Sequence, residues 1–368
     1  MEIIKEGIVE PIRSASFFYW AAVFFVFGCI VGSFLNVCIY RLPRRESIVS
    51  PPSHCPSCNY QIPWYFNVPL ISYIFLGGKC HNCGVRISPR YIIVEFITGI
   101  FFLLSWLKYG ERNSWVAIII SLFIAALIVA SFIDFEHYII PDEITYGGIV
   151  CGIILSFLLP ALHNVSGHLI AVKNSLIGAA VGAGVIFLVL QSGKLIFGKY
   201  KVKVGADTKV LFTEESLVLP QQEIPYYEIF SRTTDTIKFY AKRLELPDRC
   251  YWQVDVKLSP EKLIIGKEEF NPESVVYMEA TVDELIMPRE AMGFGDVKFM
   301  AAIGAFTGWK GVLFSLCLSS IIGAAVGLVL TIVGLKERSS RIPYGPFISL
   351  AAIIWLFYGE ELLKLWFY

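Results

Sequence analysis

Four cysteines and two aspartates carry most of the chemistry that the residue types and their spacing allow. CPSC at 55–58 and CHNC at 80–83 form two Cys-x-x-Cys pairs separated by 21 residues. Cys55, Cys58, Cys80 and Cys83 thus offer four thiolates as two tight knuckles, the donor set of a tetrahedral Zn²⁺ site of the ribbon type. Four cysteines leave no open coordination position, so such a zinc would be structural. Disulfides or metal-free thiols are the plain alternatives. His54 and His81 flank the knuckles and read as surroundings rather than ligands. The other cysteines, Cys29, Cys38, Cys151, Cys250 and Cys317, are scattered, and four of them lie in apolar runs where Cys packs as a small hydrophobe.

Asp134 ends an apolar run in IDFEHYIIPD (133–142), and Asp296 opens another in GFGDVK (293–298). A carboxylate at the edge of a membrane helix is costly unless it is partnered or functional. Two brought together can divide the work of hydrolysis, one as general base on water and the other as general acid. Gly293 and Gly295 permit backbone conformations that other residues resist and let a substrate strand come close. A simple helix N-cap is the alternative for Asp296, and for Asp142 after Pro141 it is the better account. Asp134 is harder to explain that way, because the dipole at a helix C-terminus disfavours an anion. Glu95, one turn inside the second apolar run of the chain in RYIIVEFIT (90–98), either snorkels or pairs with Arg at the edge, or lines the cavity the spans enclose.

These residues need a scaffold, and the composition names it. Of 368 residues, 55% are apolar and only 17% charged, with 31 basic against 31 acidic side chains. Soluble domains are less apolar and carry about a quarter charged residues. Apolar runs of membrane-spanning length fall at about 17–38, 91–107, 115–133, 146–162, 169–190, 297–307, 311–334 and 342–358. The expected fold is an α-helical polytopic membrane protein of about eight transmembrane helices. WYFNVPLISYIFL (64–76) is apolar but too short and Pro-interrupted to span. The first run continues into a long hydrophobic protein and does not read as a cleavable signal peptide. The balanced net charge gives no field that would suggest nucleic acid.

Basic residues set the orientation. Arg41, Arg44, Arg45, Lys79, Arg86 and Arg90 follow the first run, Lys336, Arg338 and Arg341 precede the last, and 191–296 is also rich in Lys and Arg. The alternate loops carry only Lys108 and Arg112, none in 162–168, and Lys310. With eight spans the basic loops share one side, the cytoplasm, and both aspartates face it. Thiols stay reduced there, which favours metal over bridging, and metal gives a short Pro-rich loop its folding energy.

A second polar region covers 191–292. KYKVKV (199–204) and YWQVDVKL (251–258) alternate with period two, so a small β-rich soluble insertion is expected. The chain then divides into an N-terminal segment with the first span (1–40), the zinc loop (41–90), helices bearing the first aspartate (91–190), the insertion (191–292) and a C-terminal part (293–368).

Five ordered elements resemble the bacterial type IV prepilin peptidases, the leader peptidase/N-methyltransferases. GSFLNVCIYRLP (32–43) is similar to the family's N-terminal signature, and the paired knuckles follow it. IDFEHYIIPD and GFGDVK are similar to the segments bearing its two catalytic aspartates, and IPYGPF (342–347) to its C-terminal Pro-Phe-Gly-Pro-Phe element. The resemblance implies an inner-membrane aspartic endopeptidase that cuts the basic leader from prepilins and pseudopilins after Gly at the cytoplasmic face. It implies Asp134 and Asp296 as the protease pair, with Lys298 in the motif, and N-methylation of the new N-terminal residue with S-adenosylmethionine. Asn36, Arg41 and Glu95, with the zinc loop, are the candidates for that second activity. Prepilins, the bilayer, and the pilus or type II secretion machinery are the implied partners. One departure stands out: the aspartates are 162 residues apart, and the excess over typical members matches the insertion. It would gate entry, dock a substrate's globular part or contact assembly machinery, or be a tolerated surface insertion. A transporter offers no reason for the knuckles, no HExxH helix exists for a zinc protease, and none of the five histidines lies inside a confident span to form a Ser/His dyad.

Overall fold

The computed structural model describes residues 15–197, 199–220, 222–230, 235–275, 277–288, 293–334 and 342–367. The expected cytoplasmic residues Lys336, Arg338 and Arg341 lie outside them. Two compact units emerge, Met1–Ile186 with Phe294–Tyr368, and Phe187–Gly293.

The first unit is helical. Its long helices are α1 (Ala15–Arg41), α3 (Arg90–Tyr109), α4 (Ser114–His137), α5 (Asp142–Leu158), α6 (His168–Phe197, which runs on into the second unit), α8 (Phe294–Ile332) and α9 (Gly345–Phe367). A one-turn helix, α2 (Ile71–Phe75), sits in the cysteine loop. Every apolar run of the sequence falls on one of the long helices. Five of these are long and apolar enough to cross a bilayer among the described residues, and Gly345–Gly359 is a shorter apolar stretch.

The expected eight spans therefore meet five helices of full spanning length, for physical reasons. At 1.5 Å per residue, the 17 residues of α5 reach only about 25 Å. The sixth and seventh runs are joined in α8, interrupted at Gly308, whose φ of 69° and ψ of 176° suit glycine alone.

Packing explains the order of the bundle. α4 is apolar all round and is the most buried of the spanning helices. Its first turn is capped by Asn113, whose side chain accepts from the Trp115 and Val116 amides. α1 meets α3 where Gly28 and Gly32 face it, the small-xxx-small spacing that lets membrane helices approach. A Cβ on Gly32 would come within 2.6 Å of the Glu95 Cα. Trp106 of α3 donates its indole N–H to the Phe17 carbonyl of α1 at 3.0 Å.

The second unit is the β-rich insertion. Its strands are β1 (Lys199–Phe212), β2 (Ser216–Leu219), β3 (Gln222–Pro225), β4 (Ile237–Glu245), β5 (Cys250–Leu258), β6 (Leu263–Ile265), β7 (Glu268–Phe270) and β8 (Met278–Pro288), with a four-residue helix α7 (Tyr226–Ile229) after β3. They form one antiparallel sheet in the order β3-β2-β1-β8-β4-β5-β6-β7. The period-two segments are β1 and β5. Inward positions such as Val210, Phe212, Phe239, Leu244, Val256 and Leu285 build a single core. The strand that enters the insertion pairs with the strand that leaves it, Lys199 opposite Pro288.

Candidate active site

Asp134 lies in the last turn of α4, which ends when Tyr138 adopts a left-handed conformation (φ 56°) and returns its amide to the Asp134 carbonyl. The side chain is buried, 6% exposed. Its Oδ2 accepts the Gly345 amide at 2.8 Å, at the first residue of α9. An amide at a helix N-terminus has no partner within its own helix, so it is free to meet a carboxylate. The IPYGPF element thus bears on Asp134 through a backbone donor, a role its side chains do not announce. A Cβ at position 345 would fall 2.8 Å from Oδ2.

Asp296 lies in the first turn of α8 and is 9% exposed. Two contacts stitch this turn to the segment after Asp134. Ile140 packs over Gly295, where an added Cβ would stand 3.5 Å from the Ile140 Cβ. Lys298 forms an ion pair with Asp142 at the start of α5, and its Nζ lies 5.0 Å from the centre of the Tyr146 ring. The segments 134–142 and 293–298, each with a buried aspartate, are therefore joined at one end of the bundle. Arg90 adds a further clamp there, reaching both carboxylate oxygens of Glu136 at 2.5 Å and tying α3 to the end of α4. Gly293 is exposed beside this turn. The expectation that Asp142 caps α5 is corrected: Pro141 holds the cap position, and the Asp142 carboxylate is spent on Lys298.

The cysteine loop contains two near-copies of one turn. In each, the first Cys amide bonds the carbonyl five residues on, Cys55 to Tyr60 and Cys80 to Val85, both at 2.9 Å. The fourth residue after it, Asn59 or Gly84, has positive φ and returns its amide to that Cys. The four sulfurs lie within 4.8 Å of one another, with Cys55–Cys83 at 3.9 Å and Cys58–Cys80 at 4.0 Å. Metal–sulfur bonds of about 2.3 Å in a tetrahedron place the sulfurs about 3.8 Å apart, so this all-thiolate donor set fits a zinc ion. The backbone amides of Cys83 and Asn82 pull the Cys80 thiol down to about 7, toward the thiolate a metal needs. His81 instead packs against the Phe66 ring at 4.7 Å, and His54 meets the Pro52 carbonyl.

Of the remaining candidates, Arg41 lines a cleft of about 700 Å³ between α1 and the cysteine loop, together with Cys29, Ser33, Pro51 and Leu70, whereas Asn36 and Glu95 are not among its lining residues. Glu95 is 7% exposed and is paired with no arginine among the described residues; its Oε2 accepts the Leu70 amide at 2.7 Å. Asn36 is buried and donates to the Tyr91 carbonyl at 3.1 Å, while its Oδ1 has no partner. The Arg41 guanidinium is committed to the chain itself, donating to the Ser47 carbonyl at 2.9 Å and the Pro51 carbonyl at 2.6 Å. Sequence reasoning did not reach Ser33, Leu70 or the Arg90–Glu136 clamp, because no local pattern marks them.

A helical unit with two edge aspartates and a four-cysteine loop agrees with what family comparison finds. Residues 26–109 match the bacterial peptidase A24 N-terminal domain, and 121–213 with 274–328 match the type IV leader peptidase family. The chain belongs to this family. A protein of Myxococcus xanthus is 40% identical over 163 residues, 44% of this chain and 46% of its own length. One of Aeromonas hydrophila is 25% identical over 385 residues, 97% of each chain, and one of Vibrio cholerae 30% over 256, covering 67% of this chain and 94% of its own. All three are named prepilin leader peptidase/N-methyltransferase. No solved structure matches the chain. With several apolar helices, this membership points to a multi-pass inner-membrane protein.

Proposed function

We propose that this chain is a membrane aspartic endopeptidase that removes the basic leader from type IV prepilins and pseudopilins after a glycine. It then N-methylates the newly exposed residue with S-adenosylmethionine. The names of its relatives support both activities. The observation that carries the peptidase reading is the joining of segments 134–142 and 293–298 at one end of the bundle, each holding a buried aspartate.

In the proposed mechanism Asp134 and Asp296 act as a pair. One takes a proton from water as it attacks the scissile carbonyl, and the other delivers a proton to the amide nitrogen as the C–N bond breaks. No covalent intermediate forms. The Gly345 amide fixes one oxygen of Asp134 and leaves the other for water or substrate. Lys298 acts at one remove, holding the first turn of α8 against α5 through Asp142, and Gly293 and Gly295 keep the approach clear of side chains.

The same reading takes the eight apolar helical segments as crossing or dipping into the inner membrane, with the paired aspartates at the cytoplasmic face. Arg41, Arg44, Arg45, Lys79, Arg86 and Arg90 support that orientation. Cys55, Cys58, Cys80 and Cys83 hold structural zinc. The cleft lined by Ser33, Arg41 and Leu70 is the site assigned to the methyl donor, which would supply an electrophilic methyl group. Glu95 and Asn36 act from behind that lining, Glu95 by holding the Leu70 amide and Asn36 by tying α1 to the Tyr91 carbonyl. Arg41 shapes the cleft wall through Ser47 and Pro51. Residues 191–292 form a soluble insertion that gates the site, docks the substrate's globular part or meets pilus or type II secretion machinery.

The test uses purified full-length protein, a prepilin and labelled S-adenosylmethionine. Wild type should cut and then label the mature N-terminus. Asp134→Asn and Asp296→Asn should each lower cleavage by about 10²–10⁴-fold while still inserting in the membrane. Undiminished cleavage by either variant overturns the aspartate pair, and cleavage without label overturns the second activity.

A further inference from the structure

Residues 64–76 were too short to span, and the structure shows them folded inside out relative to a water-facing loop. Trp64, Tyr65, Ile71, Ile74 and Phe75 are 82%, 54%, 57%, 69% and 87% exposed. Of its polar side chains, Ser72 and Tyr73 turn inward while Asn67 stays exposed. The Ser72 hydroxyl accepts the Val68 amide at 3.1 Å and donates to the Tyr65 carbonyl, and the Tyr73 hydroxyl donates to the Ile87 carbonyl. Exposed apolar and aromatic side chains gathered in one short segment mark an interaction surface.

The depth of the segment says what covers it. The Leu70 amide is tied to Glu95, and Glu95 lies five residues beyond Arg90, about 7.5 Å along the axis of α3. A helix of 20 residues is as long as the hydrocarbon core is thick, about 30 Å, so Arg90 stands near one boundary and Leu70 is held below it. Trp and Tyr are the side chains enriched at that boundary. Backbone at such a depth must find its partners within the protein, and this segment does so. Leu70 bonds Glu95, Val68 bonds the Ser72 hydroxyl, and Ile71, Ser72, Ile74 and Leu76 bond carbonyls of the segment itself.

We infer that residues 64–75 are an interfacial anchor, inserted edge-on into the headgroup and acyl boundary of the same leaflet as the cysteine knuckles, with the bilayer as its partner. The loop is therefore seated in the membrane surface rather than standing off it in water. This fixes the height of the cleft wall formed by Leu70 and Ile71 relative to a substrate helix lying in lipid. The inference rests on the multi-pass membrane reading and not on either catalytic activity.

The experiment places the photoreactive residue p-benzoylphenylalanine at position Phe75 of the full chain. The chain is reconstituted in nanodiscs of phosphatidylethanolamine and phosphatidylglycerol. Position Phe27 of α1, exposed and outside the cleft, serves as the lipid-facing reference, and position Trp252 of the insertion as the second reference. After illumination, phospholipid adducts are counted by mass spectrometry. Position 75 should give adducts within about twofold of position 27 and about tenfold or more above position 252. Yield at position 75 no higher than at 252, with position 27 labelled, overturns the anchor, as do crosslinks from position 75 to protein alone. No lipid adduct at position 27 would remove the membrane reading and the anchor with it. Bromolipid quenching, compared between wild type and Trp64→Phe, reads the same contact without the bulky probe. A Trp64 contribution that bromolipid leaves unquenched also overturns the anchor.

Discussion

The Asp134 carboxylate is held by a donor that belongs to no side chain. Because the Gly345 amide reaches Oδ2 at 2.8 Å and a Cβ there would occupy the same space, Gly345→Ala must turn the carboxylate or push α9 away. A shift of about 1 Å at a reacting group costs about 10²-fold in rate. The expected outcome is a fall of about 10–100-fold in kcat for prepilin cleavage with KM little changed, since alanine in a first helical turn does not harm the fold. Glu95 allows a second test. Glu95→Ala leaves the part-buried Leu70 amide without that acceptor, at a cost of about 1 kcal/mol. Glu95→Gln keeps an oxygen for it. Thermal unfolding should therefore be lowered in Glu95→Ala and restored in Glu95→Gln, whereas methylation should be low in both if the charge is what the donor site requires. Cleavage should persist in both. The aspartates and cysteines could be read from the sequence because their chemistry resides in residue type and local spacing. The Gly345 amide could not, because every residue but proline has one, and only tertiary packing decides where it points.

At the scale of elements, the two cysteine turns are near-equivalent, and each needs a residue of positive φ after its second cysteine. The sequence shows the thiols and their spacing, but the pairing of Cys55 with Cys83 and Cys58 with Cys80 across the loop is a product of folding. Cys80→Ser should abolish bound zinc as measured by metal analysis of the purified protein. Its thermal midpoint should fall, because metal binding free energy is folding energy for so small a loop. Since Glu95 grips Leu70 in the same loop, methylation should fall more than cleavage; equal losses would tie the knuckles to the aspartates instead. The helices were the most readable elements, because apolar runs need no partner to be recognised. The break in α8 was also foreshadowed by the separation of runs 297–307 and 311–334, although both runs lie on one interrupted helix with the break at Gly308. Span count was less readable, because α5 is apolar and helical yet only 17 residues long.

For the whole molecule, the question is what the insertion adds, since the match to the leader peptidase family is interrupted between 213 and 274. Period-two alternation revealed strands, but not that β8 returns between β1 and β4, since strand order depends on contacts far apart in sequence. That order has a consequence. Lys199 and Pro288 sit opposite each other in adjacent strands, so the chain leaves the insertion beside the point where it entered. The family match resumes at 274 after breaking at 213, within the outgoing and incoming arms of the same sheet unit. The insertion has its own core, supplied from strands β1, β2, β4, β5, β6 and β8 together with Ile229 and Leu246. Replacing residues 199–288 by a short Gly/Ser linker should therefore leave a helical protein that still inserts, binds zinc and cuts a short peptide carrying only the leader and the hydrophobic N-terminal segment. Activity on full-length prepilin separates the roles. Loss on the full substrate alone assigns the insertion to docking of the globular part, and unchanged activity on both makes it a tolerated surface addition. Loss on the short peptide as well would mean that the two aspartates depend on the insertion, against the expectation drawn from its adjacent ends.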